Sequence, residues 1–213
     1  FNWYSRMLAS VGRLDDAVEV ALRAEDIDPD NAVALSRIAI AYTWVGDDTK
    51  AHKYFKRSSE LDSTGTTYLS AYALLLVRDQ QWEKTTNLIT TGVRMFGAPT
   101  YWVEPYFEGL ADSAKRPEAL EALDLAASKG EISAQAEFAA RALIGDTDGA
   151  MEIATLLEQP GEVFEMDLLF IPEMRALRQH EDFMPLMQRL GIVDYWKAHG
   201  CKWNGDEVSC PTG

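Results

Sequence analysis

The feature that most constrains this chain is a 34-residue periodicity. Gly12-Arg13-Leu14-Asp15-Asp16-Ala17 recurs in type as Gly46-Asp47-Asp48-Thr49-Lys50-Ala51, 34 positions further on. The same step takes Tyr4 to Ile38, Leu8 to Tyr42 and Ala21 to Phe55, and it carries Ala51 to Thr85 and then to Ala119. A repeat of this length is one supersecondary unit that cannot bury its apolar stripe alone, so copies must stack. Within a unit, apolar residues three and four apart (Leu35, Ile38, Ala39, Tyr42) mark the buried face of a helix. A Gly-Asp turn follows, and a second helix carries Ala51, Phe55 and Ser58 on its inner side. The small residues Ala39, Ala51 and Ser58 allow the two helices to cross closely. Asp28-Pro29-Asp30-Asn31 ends the hairpin, because proline and the residue before it resist continuing a helix.

These positions resemble the tetratricopeptide repeat family. The first two units carry the likeness through Gly12, Ala17, Ala24 and Pro29, then Leu35, Ala39, Tyr42, Gly46, Ala51 and Phe55. The phase divides the chain into units 1–31, 32–65, 66–99 and 100–133. A shortened fifth unit, 134–160, is marked by Gly145-Asp146-Thr147-Asp148-Gly149-Ala150, with Ala150 only 31 residues after Ala119. The third unit has Thr85 where alanine is usual. In the fourth, Pro105 is expected to delay or kink the first helix, whereas Pro117 suits the opening turn of the second. The resemblance implies an all-α fold: a right-handed superhelical stack of antiparallel helix hairpins over residues 1–160. It also implies a protein-binding role without catalysis or cofactor.

Composition narrows the partners. With 34 acidic against 20 basic residues the formal net charge is -14, the opposite of the concentrated basic surface that phosphate contacts require. Nucleic acid and anionic lipid are therefore not expected partners. No apolar run approaches the eighteen or so residues of a membrane span. The chain opens on Phe1-Asn2-Trp3-Tyr4 without an initiator Met, and is expected to be part of a longer polypeptide. Cys201 and Cys210 are close enough in sequence to form a disulfide, or to be unrelated free thiols. His52, His180 and His199 have no metal-ligand spacing, and no metal site is expected. Asp146-Thr147-Asp148-Gly149 superficially resembles a calcium loop, but its oxygen donors do not continue in register. Its aspartate is better explained as a cap for the next helix. Phosphate-loop and nucleophile-elbow patterns are absent.

After Pro160-Gly161 the phase is lost. Residues 161–196 are expected to form capping helices (Val163–Ile171, Glu173–Arg178 and one through Phe183 to Leu190), since the end of a stacked array must be covered. Residues 197–213 are expected to be an irregular tail. Pro172-Glu173-Met174-Arg175-Ala176-Leu177-Arg178, Phe183 to Met187, and Leu190-Gly191-Ile192-Val193-Asp194-Tyr195-Trp196-Lys197 resemble the C-terminal end of certain repeat-bearing bacterial membrane-anchored regulators. Those carry a winged-helix domain or an adenylate/guanylate cyclase domain at their other end. The likeness implies a periplasmic location, with the cytoplasm as the alternative. In the periplasm a Cys201–Cys210 disulfide would persist and contribute about 2–3 kcal/mol by closing a small loop.

In such a stack the first helix of each unit lines the concave face. Repeat phase places Trp3 and Arg6 there from unit one, Arg37, Ile40 and Trp44 from unit two, Leu74 and Arg78 from unit three, and Glu104 and Glu108 from unit four. Arginine and tryptophan are enriched at binding hot spots, so a peptide or protein partner is expected on this row. The set of lysines and asparagines with which some family members grip a C-terminal carboxylate is absent. The leading expectation is thus a non-catalytic interaction module of a bacterial signalling or regulatory protein. Two alternatives stand beside it: a scaffold subunit self-associating through its ends, and the accessory region of a nucleotide cyclase.

Overall fold

The computed structural model describes residues 2–62 and 69–211; residues 66–68, which begin the third sequence unit, lie outside them. Thirteen α-helices appear among the described residues. In chain order they are α1 (Asn2–Ser10), α2 (Leu14–Ile27), α3 (Ala32–Val45), α4 (Asp48–Leu61), α5 (Leu69–Arg78), α6 (Trp82–Met95) and α7 (Val103–Ala111). They continue with α8 (Arg116–Ser128), α9 (Ala134–Ile144), α10 (Thr147–Leu157), α11 (Arg175–Arg178), α12 (Phe183–Arg189) and α13 (Ile192–Ala198). Two short antiparallel strands close the chain: β1 (Lys202–Trp203), pairing with β2 (Val208–Ser209). The protein is all-α, and no described helix is long and apolar enough to cross a membrane.

The hairpins form where the sequence places their turns. Gly12 and Gly46, one repeat apart, both adopt positive φ, 81° and 76°. Asn31, Asp47 and Asp146 each accept a hydrogen bond from a backbone N–H three residues on, at 2.9, 3.1 and 3.2 Å, supplying an acceptor to a helix start whose N–H donors have none within the helix. Asp146 is thus a helix cap, as its sequence context indicates. The small inward position of each second helix (Ala17, Ala51, Thr85, Ala119, Ala150) is completely buried in all five units. Pro105 sits in the first turn of α7 and introduces no break; the helix simply begins three positions later in phase than α3 does.

Two compact units result: Phe1–Tyr68 together with Phe164–Gly213, and Leu69–Val163. In the second unit α5–α6, α7–α8 and α9–α10 pair as hairpins around Trp102, Val103, Tyr106, Phe107 and Leu123. The Tyr106 hydroxyl, buried there, donates to the Ala140 carbonyl at 3.0 Å. Burial pushes its pKa far up, so it remains a donor. A Cβ at Gly109 would meet that of Ala119 at 2.5 Å, which shows how tightly α7 and α8 cross.

In the first unit the hairpins α1–α2 and α3–α4 share their core with the C-terminal segment. That grouping differs from the sequence division at residue 160, which separates the tail from every hairpin. The tail also departs from its expected form. Val163–Ile171 is not a helix; only Met166–Leu168 makes a single 3₁₀ turn. The reason is local: Leu169, Phe170 and Ile171 are consecutive and all buried, and a helix with one buried stripe cannot bury three neighbours. Pro172–Met174 likewise starts as a 3₁₀ turn before α11. Residues 197–213 are not wholly irregular, since Asn204-Gly205 turns β1 back onto β2. The Asn204 side chain accepts from the N–H groups of Asp206 and Glu207 at 2.9 and 2.8 Å. Cys201 and Cys210 are joined by a disulfide across the base of this ribbon.

Gln80 stands one repeat after Gly46 and shares its left-handed conformation, with φ 56°. An L-residue there costs about 1 kcal/mol relative to glycine. Gln80→Gly is therefore expected to stabilise the protein by about 1 kcal/mol in urea unfolding. Gly12→Ala should destabilise it by about 2–4 kcal/mol through backbone strain and overpacking, because the new Cβ would lie 2.7 Å from Val208 and 3.0 Å from Phe170.

Candidate partner-binding site

Five of the nine residues expected to face a guest lie in the first unit, and one of them, Arg6, is engaged by the tail. Helix α1 carries Arg6 toward the tail, where its guanidinium bonds Glu165 at 2.9 Å and Asp167 at 3.1 Å. Burial works against the Arg6 charge, but the two carboxylates outweigh it and raise its pKa. Asp167 is itself buried. Burial pushes its carboxyl pKa up, and Arg6 only partly offsets that. Arg37 on α3, one repeat after Trp3, lies beside them, and its buried Nε has no hydrogen-bond partner. Its pKa is lowered, first by burial and then by the charge of Arg6.

The remaining residues of the row separate by burial. Ile40 and Trp44 are core residues, 7% and 6% exposed, so they serve packing first. Trp3 stands in solvent at 81% exposure. The other four belong to the second unit: Leu74 is buried, Arg78 half-buried, and Glu104 and Glu108 exposed, with Glu108 paired to Lys115 at 2.9 Å.

What sequence phase does not reveal is how the tail is seated. The Trp196 indole N–H donates to the Val11 carbonyl at 2.7 Å. Arg13, in the turn, reaches the Tyr195 hydroxyl at 3.3 Å. Phe170, Phe183, Trp196 and Trp203 form one aromatic cluster, with Trp196 and Trp203 stacked at 5.5 Å and 7°. Arg178 lies beneath it almost wholly buried, donating to the carbonyls of Leu169 and Ile171 and to Asp206 at 3.0, 2.7 and 2.8 Å. A buried guanidinium acts as a fastener here, because four of its five N–H groups find acceptors within the protein.

Between the hairpin turns and the ribbon lies a cleft of about 620 Å³. Trp44, Phe170 and Pro172 form apolar parts of its wall; Arg13, Arg175, Arg178, Asp15, Asp16, Asp206 and Glu207 supply charge. The arginines are spoken for: Arg13 by Asp16 at 2.6 Å, and Arg175 and Arg178 by Asp206 at 3.2 and 2.8 Å. Asp15 and Glu207 are exposed, and neither has an ion-pair partner among the described residues. Asp206 is thus shared by two arginines, and the lining as a whole carries four carboxylates against three guanidiniums, a net charge of -1. Its acids could be read from the Asp15-Asp16 turn, but their approach to Glu207 depends on the returning tail.

No protein-family model, curated protein or solved structure matches the chain.

The raised pKa of Asp167 has a thermodynamic consequence. A carboxyl that holds its proton more tightly when folded makes stability fall as pH rises from the unfolded value, near 3.8, through the folded one. Asp167→Asn keeps an acceptor for Arg6 and removes that titration. The stability difference, variant minus wild type, should grow over this acid window and then level off in urea titrations taken at successive pH values. A flat difference would mean that Asp167 is not desolvated in the folded chain.

Proposed function

We propose that this chain is a non-catalytic protein-interaction module of the tetratricopeptide repeat type, serving a larger bacterial signalling or regulatory protein. The single observation that supports it best is the cleft of the first unit, where Asp15 and Glu207 stand without ion-pair partners among the described residues and the lining carries a net charge of -1. A basic segment of a partner protein suits this chemistry: its Lys or Arg side chains meet the two carboxylates while their apolar stems lie along the cleft wall. A net charge of -14 steers cationic partners toward the surface and speeds encounter. Arg6 and Arg37, which repeat phase places on the row expected to meet a peptide or protein partner, are engaged by or lie beside Glu165 and Asp167 of the tail. The Cys201–Cys210 disulfide favours an oxidising compartment, in keeping with a periplasmic location.

Fluorescence anisotropy with a labelled Lys/Arg-rich peptide tests the reading. Binding should weaken steeply between 50 and 300 mM salt, because exposed charge pairs are screened. The double variant Asp15→Lys, Glu207→Lys should lose at least tenfold in Kd, with the thermal midpoint moving little because both side chains are exposed. Equal binding by the double variant, or equal binding of a Glu-rich peptide, rejects the cleft as the site.

A further inference from the structure

One wall of the cleft in the first unit is tied down by a covalent bond. Its ribbon side is made by Asp206, Glu207, Val208, Ser209 and Cys210, and the two halves of that ribbon are fixed very differently. Cys201 and β1 rest on α13 and the aromatic cluster. The Cys201 N–H donates to the Trp196 carbonyl at 2.8 Å, and the Trp203 ring stacks on Trp196 and Phe183. The turn is held as well, through Asp206 on Arg178 at 2.8 Å. Beyond it, β2 pairs with β1 at two positions, Lys202 with Ser209 and Trp203 with Val208, and a two-stranded ribbon is marginal by itself in water. Glu207 and Ser209 are exposed and Val208 is half-buried, so side-chain burial holds this strand weakly. The bond from Cys210 to Cys201, nine residues apart in sequence, moors it to the fixed half.

We propose that the Cys201–Cys210 pair gates this cleft: residues 207–210 form its wall only in the oxidised chain. With the thiols free, the backbone entropy of these residues outweighs two ladder pairs, and the strand leaves the Gly12 turn, taking the Glu207 carboxylate with it. Aromatic stacking and Arg178 keep β1 and Asp206 in place, so the wall opens and the fold does not. The closing step is a thiol–disulfide exchange. The thiolate of one cysteine attacks a sulfur of a disulfide co-reactant and displaces that co-reactant's other thiolate. The second cysteine thiolate then attacks the first cysteine's Sγ, and the remaining co-reactant thiolate leaves. The co-reactant takes up the two electrons and two protons that the cysteines give up, and a dithiol runs the step in reverse. Cys210 lines the cleft, so the exchanging sulfur is reached from solvent. The consequence for a partner rests on the proposed reading of the cleft as the site of a basic segment; the gate itself does not.

Nuclear magnetic resonance of the 213-residue chain reads the gate directly. A Cβ at Gly12 would lie 2.7 Å from Val208 Cγ2, so a nuclear Overhauser effect from the Val208 methyls to the Gly12 α-protons is expected in the oxidised chain. Under a phosphine reductant it should disappear, while the effect from the Trp196 indole to Gly12 stays. The Cys201→Ser, Cys210→Ser double variant should behave in the same way without reductant, and glutathione disulfide should restore the signal in the wild-type chain alone. By fluorescence anisotropy the reduced chain should bind a Lys/Arg-rich peptide at least fivefold more weakly than the oxidised one, because one of the two unpaired carboxylates has left. A Val208–Gly12 effect that is absent from the oxidised chain, or that survives reduction, overturns the gate even where the peptide binds. Loss of both effects together also overturns it, since the disulfide would then be a staple of the whole unit. So does equal affinity of the two redox states for a peptide that the oxidised chain binds. An oxidised chain that binds no peptide rejects the cleft as a partner site, and the Val208 signal still decides the gate.

Discussion

The first unit depends on one seat, where the tail meets the turn between α1 and α2. Gly12 leaves room there for Phe170 and Val208 because it has no side chain, and the exposed carbonyl of Val11 is claimed by the Trp196 indole. The contact joins residues 185 positions apart, so its loop-closure entropy must be met by burial elsewhere. Phe170, Phe183, Trp196 and Trp203 supply that burial, and Arg178 stitches the segment beneath them to Asp206 in the ribbon. The same turn glycine thus starts a repeat and receives the end of the chain. A residue that serves two packings cannot drift without loosening both.

This seat decides which surfaces remain for a partner. Once residues 164–171 lie along α1, Arg6 is engaged by Glu165 and Asp167, so one member of the row expected to hold a guest is bonded to the chain itself. The burial of Leu169, Phe170 and Ile171 makes this segment part of the core, not a loosely held competitor. What stays open at the edge of the seat is the cleft beside the ribbon, which arises from the arrangement of whole elements and is not written in any short motif.

The helices were legible from the sequence because a 34-residue step repeats the same buried positions. Ala17, Ala51, Thr85, Ala119 and Ala150 are all at zero exposure, as their phase requires. Caps were legible too, since Asn31, Asp47 and Asp146 act within three residues of their own positions. The left-handed Gln80 was deducible from phase, as the residue in register with Gly46, although nothing about glutamine announces it. The destination of the tail was not legible. Contacts such as Trp196 to Val11 or Arg6 to Asp167 have no periodicity, and the dense apolar residues of 163–171 suit a helix as well as a buried extended segment. Asn204-Gly205 is a local hairpin signal, and β1 and β2 pair across it. Of the row Trp3, Arg6, Arg37, Ile40 and Trp44, repeat phase identified the shared side of the helices but could not say that the chain would cover part of it.

The docking of the tail on the first hairpin is best tested by the magnetisation exchanged between the Trp196 indole proton and the α-protons of Gly12. With the indole N–H bonded to the Val11 carbonyl at 2.7 Å, a strong nuclear Overhauser effect to residues 11 and 12 is predicted in the oxidised 213-residue chain. Its absence, with the indole signal instead showing contacts only to α8, α9 or α10, would place the tail on the last hairpins as a terminal cap and contradict the account.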